Sequence, residues 1–453
     1  MLTLRPYQEA GIAAIREAYR SGRNAPLYVL PTGGGKTVCF AAIAHGAAAK
    51  GNTVLILTHR IELVDQISVA LTQAETPHGY VVAGYSDEPR ACMVGSIPTV
   101  LRRLGTIARP QLIVIDEAHH VRSKTWTQVV QHWPFARLLG VTATPVRASG
   151  EGLGTIFDKL ILGPSVAELT AQGYLAPARV FAPPTVDTSG LHTRAGDFIM
   201  VEAEALLDKP AIVGSALEHY RRHADGLPAM IFCVSVRHAE NVAEQFRDAG
   251  YSAMSLDGTT AREVRRGVVA DFRAGRIQVL TSCDLVSEGF DLPGVHVGML
   301  LRPTRSLGLY AQQIGRVLRP APGKTHALIF DHVGNTQRFG LPDESRHWTL
   351  TDQDRERKPV TPGVKICPKC FAAMRAQARA CPECGHVLAG EPRVIAEVAG
   401  SLAEITAEML AKRAARRDQG KAQSLEQLLV IERQRGYRRG WAQHVFAARQ
   451  RRA

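Results

Sequence analysis

Between an apolar run, Leu27-Tyr28-Val29-Leu30, and an alanine-rich stretch over 38–49 lies Pro31-Thr32-Gly33-Gly34-Gly35-Lys36-Thr37. Three successive glycines let the backbone turn tightly and aim its N–H groups at an anion beside a helix N-terminus. The lysine that follows suits the β- and γ-phosphates of a nucleoside triphosphate, and the Thr37 hydroxyl suits Mg²⁺. The strict phosphate-loop pattern asks for glycine at position 30, where this chain has Leu30.

A second constellation is Ile113-Val114-Ile115-Asp116-Glu117-Ala118-His119. Paired acids at the end of a buried strand divide the work of hydrolysis. Asp116 can hold Mg²⁺, directly or through water, and Glu117 can orient and deprotonate the attacking water. His119 has two readings, a satisfied structural histidine or a link from this site to Thr142-Ala143-Thr144-Pro145. Further along, Gln312-Gln313-Ile314-Gly315-Arg316-Val317-Leu318-Arg319 puts two guanidinium groups one helical turn apart on one face. Such groups suit the charge of a transferring phosphoryl group. ATP would then sit in a cleft, its phosphates held from one side and arginines supplied from the other.

The elements around these motifs fall into two α/β units. Residues 1–175 alternate near-continuous apolar runs (27–30, 53–57, 112–115) with helical stretches, a pattern suited to strands buried on both faces of a parallel sheet. A proline-rich connector is expected over 176–205. A second unit over 206–340 carries strand-like runs at 229–233, 277–280, 297–301 and 327–330, with helices near 237–249 and 261–273. Residues 341–363 read as a polar linker. Cys367, Cys370, Cys381 and Cys384 form two CxxC pairs ten residues apart within 364–390. Four thiolates at that spacing suit a tetrahedral structural Zn²⁺, and Gly385 permits the tight turn a knuckle needs. A dithiol redox pair would need only one CxxC.

Residues 391–453 read as a helical tail with 13 Lys/Arg against 7 Asp/Glu, so it supplies about +6 of a formal net charge of +13. The pI of about 9.6 favours a polyanionic partner. In the tail, Tyr437, Trp441 and Phe446 alternate with Arg433, Arg435, Arg438 and Arg439. The aromatics stack on bases or pack against the rest of the protein, with packing favoured; the arginines suit phosphates. No secretory signal is read at the start and no membrane-length apolar run occurs, so a cytoplasmic protein is expected.

In order and over roughly residues 1–340, these segments resemble DEAD/DEAH-box helicases of superfamily 2. The resemblance implies two RecA-like domains that close on ATP and Mg²⁺ and act along a nucleic acid. It also makes Arg5-Pro6-Tyr7-Gln8 an adenine-reading element, with Gln8 the base contact and Arg5 beside it. Thr58-His59-Arg60 and Gly95-Ser96-Ile97-Pro98-Thr99 match strand-binding segments, which points to Thr58, His59, Arg60, Ser96 and Thr99. Thr281 would meet a backbone phosphate, while Gly289 and Asp291 would sit near the ribose and Gln312 near the nucleotide. Phe232–His238 and Asp257-Gly258-Thr259 fill the remaining positions of the second domain.

Leu301–Ser306, Tyr310, Ala321–Thr325 and Asp331–Asn335 are similar to the second-domain signature of the RadD family of bacterial DNA-repair ATPases. Where that family often has Cys-His in its acidic motif, this chain has Ala118-His119. Its tail, with Arg435-Gly436-Tyr437-Arg438-Arg439-Gly440-Trp441, looks more like the ends of phage-type helicases. The resemblance implies ATP-driven translocation on DNA in repair, recombination or replication, with single-stranded-DNA-binding or recombination proteins as partners. DNA is favoured over RNA, although backbone-reading residues do not decide the sugar. An RNA helicase and a non-catalytic zinc-ribbon binding protein with a relict motor are the competing readings.

Overall fold

The computed structural model describes residues 3–350 except 60, 87, 122–123, 146–151, 184–185, 195, 284–291 and 293. It also describes 363–388 and, except for 420, 421 and 423, residues 418–450. Residues up to Ala389 form one compact unit and the tail forms a second.

Seven parallel strands make the first sheet, in the order His78–Val81, Cys92–Ser96, Val54–Thr58, Leu112–Ile115, Arg137–Thr142, Pro26–Val29, Lys159–Leu162. The central strands are buried at every residue, which is why they read as unbroken apolar runs. Helices Pro6–Arg20, Lys36–Ala48 and Ile61–Gln73 close one face over Phe40, Ile56 and Val114. Trp126, Trp133 and Phe157 cover the other face over Leu27, Leu55 and Ile113. Because parallel strands all end at one edge, the glycine loop, Asp116-Glu117, Thr142–Thr144 and Thr58-His59 emerge side by side there.

A second, six-stranded parallel sheet runs Ala253–Leu256, Val279–Ser282, Ala229–Phe232, Val297–Leu300, Ala327–Asp331, Ala178–Phe181. Its edge strand, Ala178–Phe181, pairs in parallel with Ala327–Asp331, although it falls inside the connector expected at 176–205. Helix Met200–Leu207 likewise buries Ala203 and Leu207 in the second core. The prolines at 177 and 183 bracket that short strand, so the sequence shows its breaks more clearly than its pairing.

The polar stretch expected to be a linker begins by returning to the first sheet. Trp348 and Leu350 pack against the Trp126–Phe157 face, and the Leu350 carbonyl accepts the Gly154 N–H at 2.8 Å. The cysteine-rich module carries the antiparallel pair Val364–Ile366 and Ala373–Arg375. It lies along the outer strand of the second sheet, where Phe181 bridges Ala372 and Ala182 N–H donates to the Phe371 carbonyl at 2.9 Å.

In the tail, helices Leu425–Arg435 and Trp441–Gln450 turn at Gly436, which takes φ 65°. Ser424 caps the first helix by accepting from Gln427 N–H, and buried Glu432 accepts the Ala442 N–H at 2.8 Å. Tyr437 and Trp441 lie 4.5 Å apart, and Trp441 and Phe446 lean on the hairpin's own apolar centre of Leu428 and Ala442.

A side chain at Gly154 would put Cβ 2.7 Å from the Leu350 carbonyl, so Gly154→Ala should detach the returning segment. We expect faster amide hydrogen exchange at residue 154 and across 341–350, with the sheet strands unchanged. Unaltered exchange over 341–350 would show that the segment is held by something else.

Candidate active site

The loop is shaped by its neighbours as well as by its glycines. Gly33 and Gly35 take φ 88° and 84°, a region that side chains avoid. A Cβ at Gly35 would also lie 2.4 Å from Gln8 Nε2. Helix Lys36–Ala48 starts immediately afterwards without a side-chain cap, leaving first-turn N–H groups for an anion. Gln8 Nε2 donates to the Gly34 carbonyl at 3.2 Å, and Tyr7 Oη donates to the same carbonyl at 2.9 Å. Arg5 donates to Tyr7 Oη at 3.0 Å while its guanidinium lies 4.6 Å from the Tyr174 ring. The residues expected to read adenine are therefore wired to the phosphate loop.

Asp116 and Glu117 are buried where strand Leu112–Ile115 ends. Asp116 Oδ1 accepts the Glu117 N–H at 3.0 Å, and Lys36 Nζ lies 3.8 Å from Glu117 Oε1. Glu117 has φ 48° and ψ 54°, a left-handed conformation that costs a non-glycine residue about 1–3 kcal/mol. His119 Nδ1 stands 3.4 Å from Glu117 Oε2 and 3.1 Å from Thr142 Oγ1. The Thr142 hydroxyl gives its proton to the Thr144 carbonyl at 2.9 Å. It must therefore accept from His119, which places the imidazole proton on Nδ1. His119 thus stands between Glu117 and Thr142.

The opposite wall is helix Leu307–Val317, capped by Ser306. A Cβ on Gly315 would sit 2.3 Å from Thr32 Cβ, so only glycine lets this helix rest on the loop. A cavity of about 1160 Å³ joins Lys36, Thr37, Asp116 and Glu117 to Arg316 and Arg319. Gln312 is buried on the same helix. Burial lowers Arg319 to about 10, which leaves it charged at neutral pH.

The cavity also takes in Arg265, Arg266 and Arg273 of helix Arg262–Arg273, which the motif reading passed over. Their helical spacing was the available signal.

The residues expected to bind a strand lie along the same sheet edges, but their hydroxyls face inward. Thr58, Ser96, Thr99 and Thr281 are buried. Ser96 donates to Thr99 at 2.9 Å, and Thr281 donates to the Ala239 carbonyl at 2.8 Å. In this conformation those hydroxyls are not offered to a phosphate. His59 is half-buried at the edge. Arg60, Gly289 and Asp291 lie outside the described residues.

The four cysteine sulfurs all lie within 4.8 Å of one another, with Cys367–Cys384 at 3.7 Å and Cys370–Cys381 at 3.5 Å. A tetrahedral ion with Zn–S bonds of about 2.3 Å needs sulfurs roughly 3.8 Å apart, so the set fits the metal. Both knuckles share one backbone design. Phe371 N–H donates to the Cys367 carbonyl and Gly385 N–H to that of Cys381, at 2.9 and 3.0 Å. Phe371 takes φ 61° where its counterpart Gly385 takes 69°. Burial pushes the Cys367 thiol up, but hydrogen bonds from the backbone N–H groups of Cys370 and Lys369 and from the thiols of Cys384 and Cys370 together outweigh this and bring it down to about 7.

Phosphate loop, acidic pair and facing arginines define a two-domain nucleoside-triphosphate motor. Residues 1–147 match the family described as "Type III restriction enzyme, res subunit", and residues 208–321 match "Helicase conserved C-terminal domain". The chain is 35% identical over 359 residues to a 51.5 kDa protein of a Lactococcus phage (isolate 7-9), covering 79% of this chain and 76% of that one. It is 28% identical over 354 residues to IRC3 of Saccharomyces cerevisiae, assigned as an ATP-dependent helicase. That match covers 73% of this chain and 51% of the yeast protein. A fragment assigned to the HsdR subunit of a type I restriction enzyme from Vibrio vulnificus YJ016 shares the fold. Its TM-score is 0.60 at 21% identity, over 75% of this chain and 66% of that one. This chain belongs to the superfamily 2 helicases: it is an ATP-hydrolysing enzyme that binds nucleic acid. Among the described residues no helix is long and apolar enough to cross a membrane.

The end of the arginine helix is held by Lys324, whose Nζ donates to the carbonyls of Val295 at 2.6 Å, Arg319 at 2.9 Å, and Val317. Burial lowers this ammonium to about 8, and its charge is felt by the imidazoles of His296 and His326. The charged form has three protons for three carbonyls and is present below that value; the neutral amine, above it, has two. We expect kcat for ATP to fall as pH rises through about 8, and Lys324→Arg to remove that fall. Parallel pH profiles of the two proteins would count against the clamp.

Proposed function

We propose that the enzyme couples ATP hydrolysis to translocation on, or remodelling of, DNA. The observation that carries this is the single cavity shared by the phosphate loop, the acidic pair and the two arginines of the other domain. Gly33, Gly34, Gly35 and Lys36 would hold the β- and γ-phosphates, with Thr32 at the back of the loop and Gln8 and Arg5 toward the base. Thr37 and Asp116 would hold Mg²⁺, which when bound neutralises phosphate charge. Glu117, kept beside Lys36 and His119, orients the attacking water and takes its proton. Arg316 and Arg319 meet the charge that develops on the transferring group. Because they stand on the second domain, closure is tied to bound ATP and opening to its loss.

DNA is favoured by the restriction-enzyme family matched over the first domain, and the charge of +13 supports a polyanion. Repair, recombination or replication is the setting we infer, in the cytoplasm. The division at 1–175, 206–340, 364–390 and 391–453 follows function, with the ribbon fastened to the second domain. His59, half-buried at the sheet edge, would meet the strand first, with Arg60 next to it in the sequence, and Thr58, Ser96, Thr99 and Thr281 would set the backbone around it.

ATPase rates measured with single-stranded DNA, forked DNA and RNA test the polymer; we expect DNA to stimulate most. Lys36→Ala and Glu117→Gln should each lower the stimulated rate by at least about 100-fold. Undiminished hydrolysis in both would overturn the site assignment.

We further propose that Cys367, Cys370, Cys381 and Cys384 hold one structural Zn²⁺. Purified protein should contain one zinc per chain, and Cys367→Ser with Cys384→Ser should lose it and lower the melting temperature. A metal-free protein of unchanged stability would exclude the assignment.

A further inference from the structure

The two strands that carry the strand-binding and acidic segments are neighbours in register, with Leu57 opposite Ile115. Asp116 N–H donates to the Leu57 carbonyl at 3.0 Å, so both segments leave the sheet at one level. Just beyond, three imidazoles lie one on the next. The His59 ring is 4.6 Å from the His120 ring, tilted by 53°, and the His120 ring is 4.2 Å from that of His119, tilted by 40°. His119 in turn reaches Glu117 and Thr142. His59 and His119 therefore communicate through a ring that the acidic motif does not include.

We propose that His120 is a positioning residue that transmits occupancy of the nucleic-acid strand from His59 to Glu117, by ring contact with His59 and His119. Aromatic rings at these separations are in direct contact, and packed side chains transmit displacement because they cannot interpenetrate. Removing the middle ring leaves a gap between the outer two. Coupling also requires an element with two states. Glu117 supplies it, since its left-handed backbone is the costly one of its conformations and persists only while its surroundings enforce it. The His120 N–H donates to the Glu117 carbonyl at 3.0 Å, so the same residue grips that backbone and carries the ring that feels His59. A strand that shifts Thr58 and His59 would press on His120 and set Glu117 and His119 for hydrolysis. Ring contact needs no protonation, so the stack works with neutral imidazoles.

The inference rests on Glu117 being the residue that orients water, and the test separates the two. The rate of ATP hydrolysis is measured against poly(dT) concentration for the full chain and for His120→Ala, His120→Phe and Glu117→Gln. Loss of the ring in His120→Ala should cut maximal stimulation by at least about fivefold, the low end of ordinary site-to-site coupling, with half-saturating poly(dT) altered less than about twofold. His120→Phe keeps a ring without a titratable nitrogen and should recover most of the stimulation, which a misfolded or merely destabilised site would not do. If His120→Ala is stimulated as fully as the parent, or His120→Phe is as defective as His120→Ala, the ring relay is overturned. Should Glu117→Gln still hydrolyse ATP normally, the catalytic reading fails instead, whatever His120 does.

Discussion

The contact of the arginine helix with the phosphate loop is the constraint on which the rest of this structure depends. Neither wall of the nucleotide cavity is complete alone: one has the loop and two carboxylates, the other has guanidinium groups. They are brought together where Gly315 lies against Thr32, an approach that any side chain at 315 would prevent. The helix can rest there because its C-terminal end, just past Gly315, is fixed independently, by the Lys324 ammonium on the Val317, Arg319 and Val295 carbonyls and by Ala176 N–H on the Leu318 carbonyl at 2.8 Å. A glycine at the contact and a lysine clamp behind it do complementary jobs. One removes bulk, and the other removes freedom.

On the first wall the opposite solution is used. Glu117 is held in a backbone conformation it does not favour, and the restraint comes from side chains that end or follow three strands. Lys36 follows the Pro26–Val29 strand, Thr142 ends the Arg137–Thr142 strand, and His59 follows the Val54–Thr58 strand. A strain of about 1–3 kcal/mol is small against the stability of a domain but comparable to a site-to-site coupling energy. That match of scale is what makes a strained carboxylate a usable switch. A relaxed Glu117 would need a larger displacement to gain the same difference between states.

How much of this could be read from the sequence follows from how local each signal is. The phosphate loop, the acidic pair, the arginine helix and the CxxC pairs are contiguous, and parallel strands buried on both faces declare themselves as apolar runs. The edge strand Ala178–Phe181 did not, because four residues between prolines carry no periodicity and its partner lies about 150 residues away. The returning segment at 341–350 looked like a linker because most of it is polar; its attachment depends on Trp348, Leu350 and one carbonyl. Phe371 could not be told from an ordinary residue, although it fills the place that glycine fills at 385. The spacing of the tail aromatics fits contact with nucleic acid or with the motor, whereas the hairpin they belong to uses them itself.

The cysteine module shows why such a piece takes both a metal and a neighbour. A segment of this size cannot bury enough apolar surface to be stable alone. Its few apolar side chains, Ala372 and Met374 with the sulfurs of Cys367 and Cys381, join the cluster of Phe181 and Phe330 in the second domain. That contact covers the outer strand of the sheet, an edge that would otherwise offer unpaired backbone to other chains. Four thiolates around Zn²⁺ in small peptides contribute about 10–16 kcal/mol, far more than this small apolar patch can. The metal would then fold the module, and the module would close the sheet. Since the same sheet carries the arginine helix, the distant cysteines would then bear on the ATP site by keeping its second wall in one piece, without touching a nucleotide.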